Sequence, residues 1–172
     1  MRSWKVIFLL FAVIVVSLFF LSGIIGKPFE PIQPIAFDHQ QHTLKEDPAP
    51  QLDCVFCHQN ADKSRYATIP GVSTCMGCHE SFKTDSPEVQ KLAAIAARSE
   101  EPAWRRVYWI DSSADVFFTH KPHIRAGVDC AVCHGQVNQM HRVRREVEHS
   151  MGWCIQCHRE KKVSVDCYIC HR

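Results

Sequence analysis

The pattern C-x-x-C-H occurs five times in this chain and uses all ten of its cysteines. Two thiols at this spacing can add to the two vinyl groups of one porphyrin, and the adjoining histidine then supplies an imidazole to the iron. The sequence therefore predicts five covalently attached c-type haems. The predicted attachment residues are Cys54, Cys57, Cys75, Cys78, Cys130, Cys133, Cys154, Cys157, Cys167 and Cys170, and the predicted proximal ligands are His58, His79, His134, His158 and His171.

Zinc ribbons and disulfide scaffolds also use closely paired cysteines. Neither of them requires a histidine after every pair. Because all five pairs are followed by histidine, haem attachment is the favoured interpretation and the two others are set aside.

Six further histidines are available as distal ligands on the opposite face of the irons. His39 and His42 lie in an F-x-H-x-x-H segment before the first haem motif, and His120 and His123 lie in the same segment before the third. This internal repeat predicts two class III-like modules followed by an additional fifth haem. We expect these four histidines to be distal ligands, one of each pair binding its own module's haem and the other a neighbouring haem.

The sequence does not decide the distal ligand of the remaining haem. Met140, His141, His149 and Met151 all compete for that role. A methionine would raise the reduction potential of that haem relative to the bis-histidine sites. Packing of a methionine against apolar surface is an equally good explanation for Met140 and Met151.

Residues 6–25 are uncharged and form a run long enough to cross a bilayer as a helix. Arg2 and Lys5 precede the run and only Lys27 follows closely, so the positive-inside rule predicts a cytoplasmic N-terminus at residues 1–5. Residues 26–172 are then predicted to lie on the periplasmic side of a bacterial inner membrane. A cleaved signal peptide is the alternative, but its short apolar region and small-x-small cleavage site are not evident.

The segment that would carry the haems is too short to build a large core from side chains alone. We therefore expect a mostly irregular and α-helical multihaem cytochrome c, class III-like, with little β-structure and with porphyrins as its core. Module 1 is predicted at about residues 31–84, a linker helix at about 86–98, and module 2 with the fifth haem at about 104–172. Pro87 fits the first turn of that helix and Pro102 lies beyond its end. The net charge of +2, without a long basic run, argues against nucleic-acid binding.

Beyond the haem motifs, several segments resemble the pentahaem, membrane-anchored cytochrome subunit of alternative complex III, which has a close cousin in the haem subunit of the related quinone reductase complex. The resemblance covers roughly residues 31–172, and the segment Met-Gly-Trp-Cys-x-x-Cys-His-Arg is more specific than the haem motifs. The segments that carry it are residues 33–39, 69–70, 74–79, 104–107, 116–120, 126–130, 151–159 and 166–171. The chain departs from that family in a short connection between His79 and Trp104, and in His141 and His149.

The resemblance implies an electron-transfer subunit with no catalytic residues of its own. Its partners would be an iron–sulfur subunit and quinol-binding transmembrane subunits, and its acceptor a monohaem cytochrome or a terminal oxidase. One alternative is a self-sufficient membrane-anchored quinol dehydrogenase. Another is a catalytic multihaem reductase, which is disfavoured because the spare histidines and methionines are enough to close every iron.

Overall fold

The computed structural model describes residues 2–24, 28–44 and 50–171, without the side chains of residues 2–3 and 19–24. Short helices are joined by long irregular connections in this part of the chain. The α-helices are α1 (Arg2–Ile24), α2 (His39–Thr43), α3 (Cys54–Cys57), α4 (Val72–His79), α5 (Pro87–Ala97), α6 (His120–Arg125), α7 (Cys130–His134), α8 (Met151–Glu160) and α9 (Cys167–Cys170). Two 3₁₀ helices cover Ser112–Ala114 and Val137–Gln139.

The expectation of little β-structure is confirmed for the described residues. They contain no β-strand, and the one isolated bridge joins Val116 to His171 in antiparallel fashion. The chain is therefore organised by its helices and by hydrogen bonds between irregular segments.

Helix α1 contains most of the expected anchor, and its described side chains from Trp4 to Leu18 are exposed. The last part of that expected segment, the side chains of residues 19–25, lies outside the described residues. A search of the described residues found no helix with both the length and the apolar character needed to cross a membrane.

The helix predicted at about residues 86–98 is confirmed as α5, with Pro87 in its first turn and Ser86 as the N-terminal cap residue. Leu92 on α5 is buried together with Ile35 and with Val72 of α4. Partly buried apolar side chains surround this cluster, namely those of Cys75, Met76, Ile95, Ala96 and Trp104. Helix α5 therefore covers one side of the helix that carries the second haem motif.

Few side chains are buried elsewhere in the described part of the chain. Apart from two prolines, the buried residues are Ile35, Ala61, Val72, Leu92 and Met140. This agrees with the expectation that side chains alone form only a small core. The positions of the haem motifs are instead fixed by local helices and by backbone hydrogen bonds.

Candidate functional site

Each C-x-x-C-H motif lies in or at the start of a short helix. We number these candidate sites in chain order: site 1 (residues 54–58), site 2 (75–79), site 3 (130–134), site 4 (154–158) and site 5 (167–171). An aspartate occupies the N-terminal cap position at sites 1, 3 and 5. At site 3 the Asp129 carboxylate accepts a hydrogen bond from the backbone N–H of Ala131. Helical geometry puts the two cysteines, three positions apart, on the same face of the helix.

All ten cysteines lie within the described residues, and none forms a disulfide. The thiols are exposed or partly buried rather than enclosed in a core. Paired thiols on one helix face, free and accessible, have the chemistry needed to form two thioether bonds with one porphyrin.

Six of the histidines predicted as proximal or distal ligands share one arrangement of their ring nitrogens. In each case Nδ1 lies 2.6–2.9 Å from a backbone carbonyl oxygen, and since that oxygen can only accept, Nδ1 carries the proton and donates it. The hydrogen bond fixes the tautomer and leaves Nε2 with a free lone pair, as in histidines that bind metals. These six residues are His42, His58, His79, His120, His123 and His158.

Three of the predicted distal histidines face a predicted proximal histidine. The ring centroids are 6.1 Å apart for His42 and His79. They are 6.3 Å apart for His120 and His134, and 6.1 Å apart for His123 and His158. A metal bound to one nitrogen of each imidazole at roughly 2 Å would hold the ring centroids about 6 Å apart. These centroid distances are therefore compatible with two imidazoles binding one iron at sites 2, 3 and 4.

His39 is the corresponding residue for site 1. Burial, together with the nearby His58 and His42, lowers the pKa of His39 to about 4, so its imidazole is neutral at pH 7 and keeps a lone pair for a metal. Its Nδ1 is buried without a hydrogen-bond partner in the described residues. An unsatisfied buried nitrogen is costly unless some further group meets the ring. The residues at site 1 thus also fit a haem.

The repeated F-x-H-x-x-H segments have the same side-chain packing in both modules. Phe37 meets the His39 ring edge-on at 4.8 Å and stacks on His42 at 4.4 Å. Phe118 meets His120 edge-on at 4.9 Å and lies at 30° to the ring of His123, also at 4.9 Å. In each repeat one phenylalanine therefore packs against both predicted distal histidines.

Tyr108 gives a third arrangement of this type, which nothing in the local sequence singles out. Its ring meets His134 edge-on at 4.7 Å and stacks on His149 at 5.1 Å. Its hydroxyl donates to the carbonyl of His134 at 3.0 Å and accepts from the N–H of Glu146 at 2.9 Å. Burial, with His149 and His120 nearby, lowers the pKa of His134 to about 4, so this proximal imidazole is also neutral at pH 7.

The four candidates for the remaining distal ligand lie in different surroundings. Met140 is buried beside α2, and its carbonyl accepts from the N–H of Gln40 at 3.2 Å. His141 is exposed and its Nδ1 contacts the Asp38 carboxylate at 2.7 Å. His149 donates from Nε2 to the carbonyl of Cys133 at 2.8 Å, and Met151 is exposed. Site 5 therefore keeps the four alternatives that the sequence leaves open.

Protein side chains can also bind a metal ion directly, without a porphyrin. No three His, Cys, Asp or Glu side chains in residues 2–24, 28–44 and 50–171 are grouped as ligands of a metal ion. A scan of the chain against protein-family models found no match, and a search of curated proteins found none either.

Proposed function

We propose that this chain is an electron-transfer protein that holds five covalently bound c-type haems. The observation that carries the proposal is the set of opposed histidine pairs at sites 2, 3 and 4, with ring centroids 6.1–6.3 Å apart. Each pair combines the histidine of a C-x-x-C-H motif with a histidine of an F-x-H-x-x-H segment. Each haem would supply an iron that gains and loses one electron.

The chain's own residues explain why such irons would transfer electrons and not bind substrate. The thiols of each motif would hold the porphyrin, and the motif histidine would bind its iron. His42, His120 and His123 would supply a second imidazole at three sites, and their Nδ1 protons are donated to backbone carbonyls. An iron bound by two imidazoles would have no position left for a small molecule, which disfavours a reductase that binds its substrate at iron.

We further propose that the chain serves a membrane quinol-oxidising complex of the alternative complex III type. The support is the sequence resemblance across roughly residues 31–172, above all in the segment from Met151 to Arg159. In such a complex the chain would receive quinol-derived electrons through an iron–sulfur subunit. It would deliver them to a monohaem cytochrome or a terminal oxidase.

Location at the periplasmic face of a bacterial inner membrane is part of the same proposal. Its support is the uncharged run at residues 6–25 and the placement of the positive charges before it. The full chain is expected to sediment with membranes and to require detergent, but not high salt, for release. A matched chain that lacks residues 6–25 but is exported by a separate signal peptide should remain soluble. Release of the full chain by salt alone would contradict the proposed anchor.

The first experiment is to purify the native protein in mild detergent and to measure its intact mass before and after haem removal. Five haems per chain are expected, and a smaller number would contradict the proposal. Identification of co-purifying subunits and titration with a quinol analogue then test the partners. A solitary chain that quinol reduces directly would instead favour the self-sufficient quinol dehydrogenase.

A further inference from the structure

Helix α2 connects site 1 to site 2. His42 on this helix faces His79 of site 2, with ring centroids 6.1 Å apart. His39 precedes it by three positions, and Phe37 packs against both rings. Sites 1 and 2 are therefore neighbours.

A network of hydrogen bonds connects site 1 to site 3. The segment that directly follows His58 is bound to the segment that carries the distal histidine of site 3. His120 donates to the carbonyl of Arg65 from its backbone N–H at 3.2 Å and from Nδ1 at 2.8 Å. The side chain of Arg125 donates from Nε to the carbonyl of Asp62 at 3.1 Å.

The cysteines of sites 1 and 3 meet directly. The thiols of Cys54 and Cys130 are hydrogen-bonding partners. This contact brings two attachment positions together although 76 residues separate them in sequence. Site 3 thus adjoins site 1 more closely than the chain order would predict.

His149 connects site 3 to site 4. Its Nε2 donates to the carbonyl of Cys133 at 2.8 Å, and its ring centroid lies 6.0 Å from that of His134. The same ring lies 5.4 Å from Trp153, which directly precedes Cys154 of site 4. His149 therefore packs between the two sites.

A short, folded connection joins site 4 to site 5. Nδ1 of His158 donates to the carbonyl of Ser164 at 2.7 Å, and the N–H of Val163 donates to the carbonyl of His158 at 2.9 Å. These bonds turn the connection back on itself.

We propose that the five haem-attachment sites form one row in the spatial order 2–1–3–4–5, which differs from their order along the chain. This inference rests on the proposed function, because it concerns where the haems would lie relative to one another. Helix α5 packs against α4 at site 2, and residues 159–169 are exposed at site 5. Sites 2 and 5 are accordingly the two ends of the row, and partner proteins exchange electrons with the chain at these ends.

The test is a crystal structure of the full haem-loaded protein with anomalous diffraction measured at the iron absorption edge. The anomalous signal locates the irons without reference to the polypeptide, and the thioether bonds then assign each iron to its motif. We expect the iron of site 3 to lie closer to that of site 1 than to that of site 2. We also expect sites 2 and 5 to have the largest separation of any pair.

Two results would overturn the inference. One is an iron–iron distance between sites 3 and 2 that is shorter than the distance between sites 3 and 1, which would mean that the haems follow chain order. The other is a compact cluster in which sites 2 and 5 are adjacent. Either result would leave five bis-ligated haems in place, so the proposed function would stand while the order failed.

Discussion

The candidate distal histidines differ in whether they lie near a motif histidine, and His42 and His141 represent the two kinds. The ring of His42 lies 6.1 Å from that of His79, whereas the side chain of His141 is 73% exposed and its Nδ1 contacts the Asp38 carboxylate. In the haem-loaded protein, His42→Ala should convert one of five low-spin irons to the high-spin form, because it removes one axial ligand. Paramagnetic resonance and absorption spectra measure the change.

Gln41→Ala is the matched control for that experiment. It removes an exposed side chain of the same helix that is not a candidate ligand, so all five irons should stay low-spin. An unchanged low-spin count in His42→Ala would show that His42 is not the ligand of site 2.

Tyr108 is the aromatic residue whose loss should most reduce the stability of site 3. Tyr108→Phe keeps the ring but removes the hydroxyl that bonds the carbonyl of His134 and the N–H of Glu146. Each such hydrogen bond contributes about 1 kcal/mol, so the thermal midpoint of the haem-loaded protein should fall. The highly exposed Tyr168 offers the control, and equal midpoints for Tyr108→Phe and Tyr168→Phe would contradict the assigned role.

At the scale of elements, one carboxylate adds to the apolar packing that holds α5 against the start of module 1. Glu88 accepts hydrogen bonds from Lys91 Nζ at 2.5 Å and from the N–H of Ala36 at 2.7 Å, and these two groups lower its pKa. A lowered carboxylate pKa adds stability that is complete above the ordinary pKa of glutamate and is lost as the pH falls through the lowered value. Glu88→Gln should therefore lower the free energy of unfolding by about 1 kcal/mol near pH 7. The loss should become smaller as the pH falls toward that lowered pKa.

Thermal unfolding of the haem-loaded protein at several pH values measures this difference. Glu80, an exposed glutamate just after α4, is the control position, and Glu80→Gln should have little effect at any pH. A penalty for Glu88→Gln that grew on acidification would contradict the interpretation.

The helices and the histidine pairs differ in how far the sequence predicts them. Pro87 and Pro102 mark the limits of α5 because proline restricts the backbone locally, so this helix could be predicted. The F-x-H-x-x-H repeat predicts that His120 and His123 act together, but not that they face His134 and His158 in that order. Tyr108 could not be found, because its partners are distant in sequence and no periodic pattern includes it.

At the scale of the whole molecule, the polypeptide buries little of its own surface. Its accessible area is 13182 Å², against roughly 8,600 Å² expected for a compact protein of this mass. The exposed helix α1 accounts for part of the excess. The remainder belongs to a domain whose buried apolar residues are few, so it has little side-chain core to oppose the loss of chain entropy.

We therefore expect the chain to lack cooperative folding when haem attachment is prevented. Production in a compartment without haem-attachment enzymes should give a chain with weak helical circular dichroism and rapid hydrogen exchange outside α1. The haem-loaded protein, measured in the same detergent, is the control and should show a sharp thermal transition. A sharp transition in the haem-free chain would contradict this expectation.

The small side-chain core also has a consequence for the amount of protein that a cell can maintain. Under the proposed function the chain becomes compact only after five haems are attached, so it is exposed to proteases until then, and each missing haem prolongs that exposure. Its abundance should therefore follow the supply of iron and porphyrin more closely than the rate of its own synthesis. Iron starvation would lower the number of protein molecules and would not lead to an accumulation of haem-deficient molecules in the membrane.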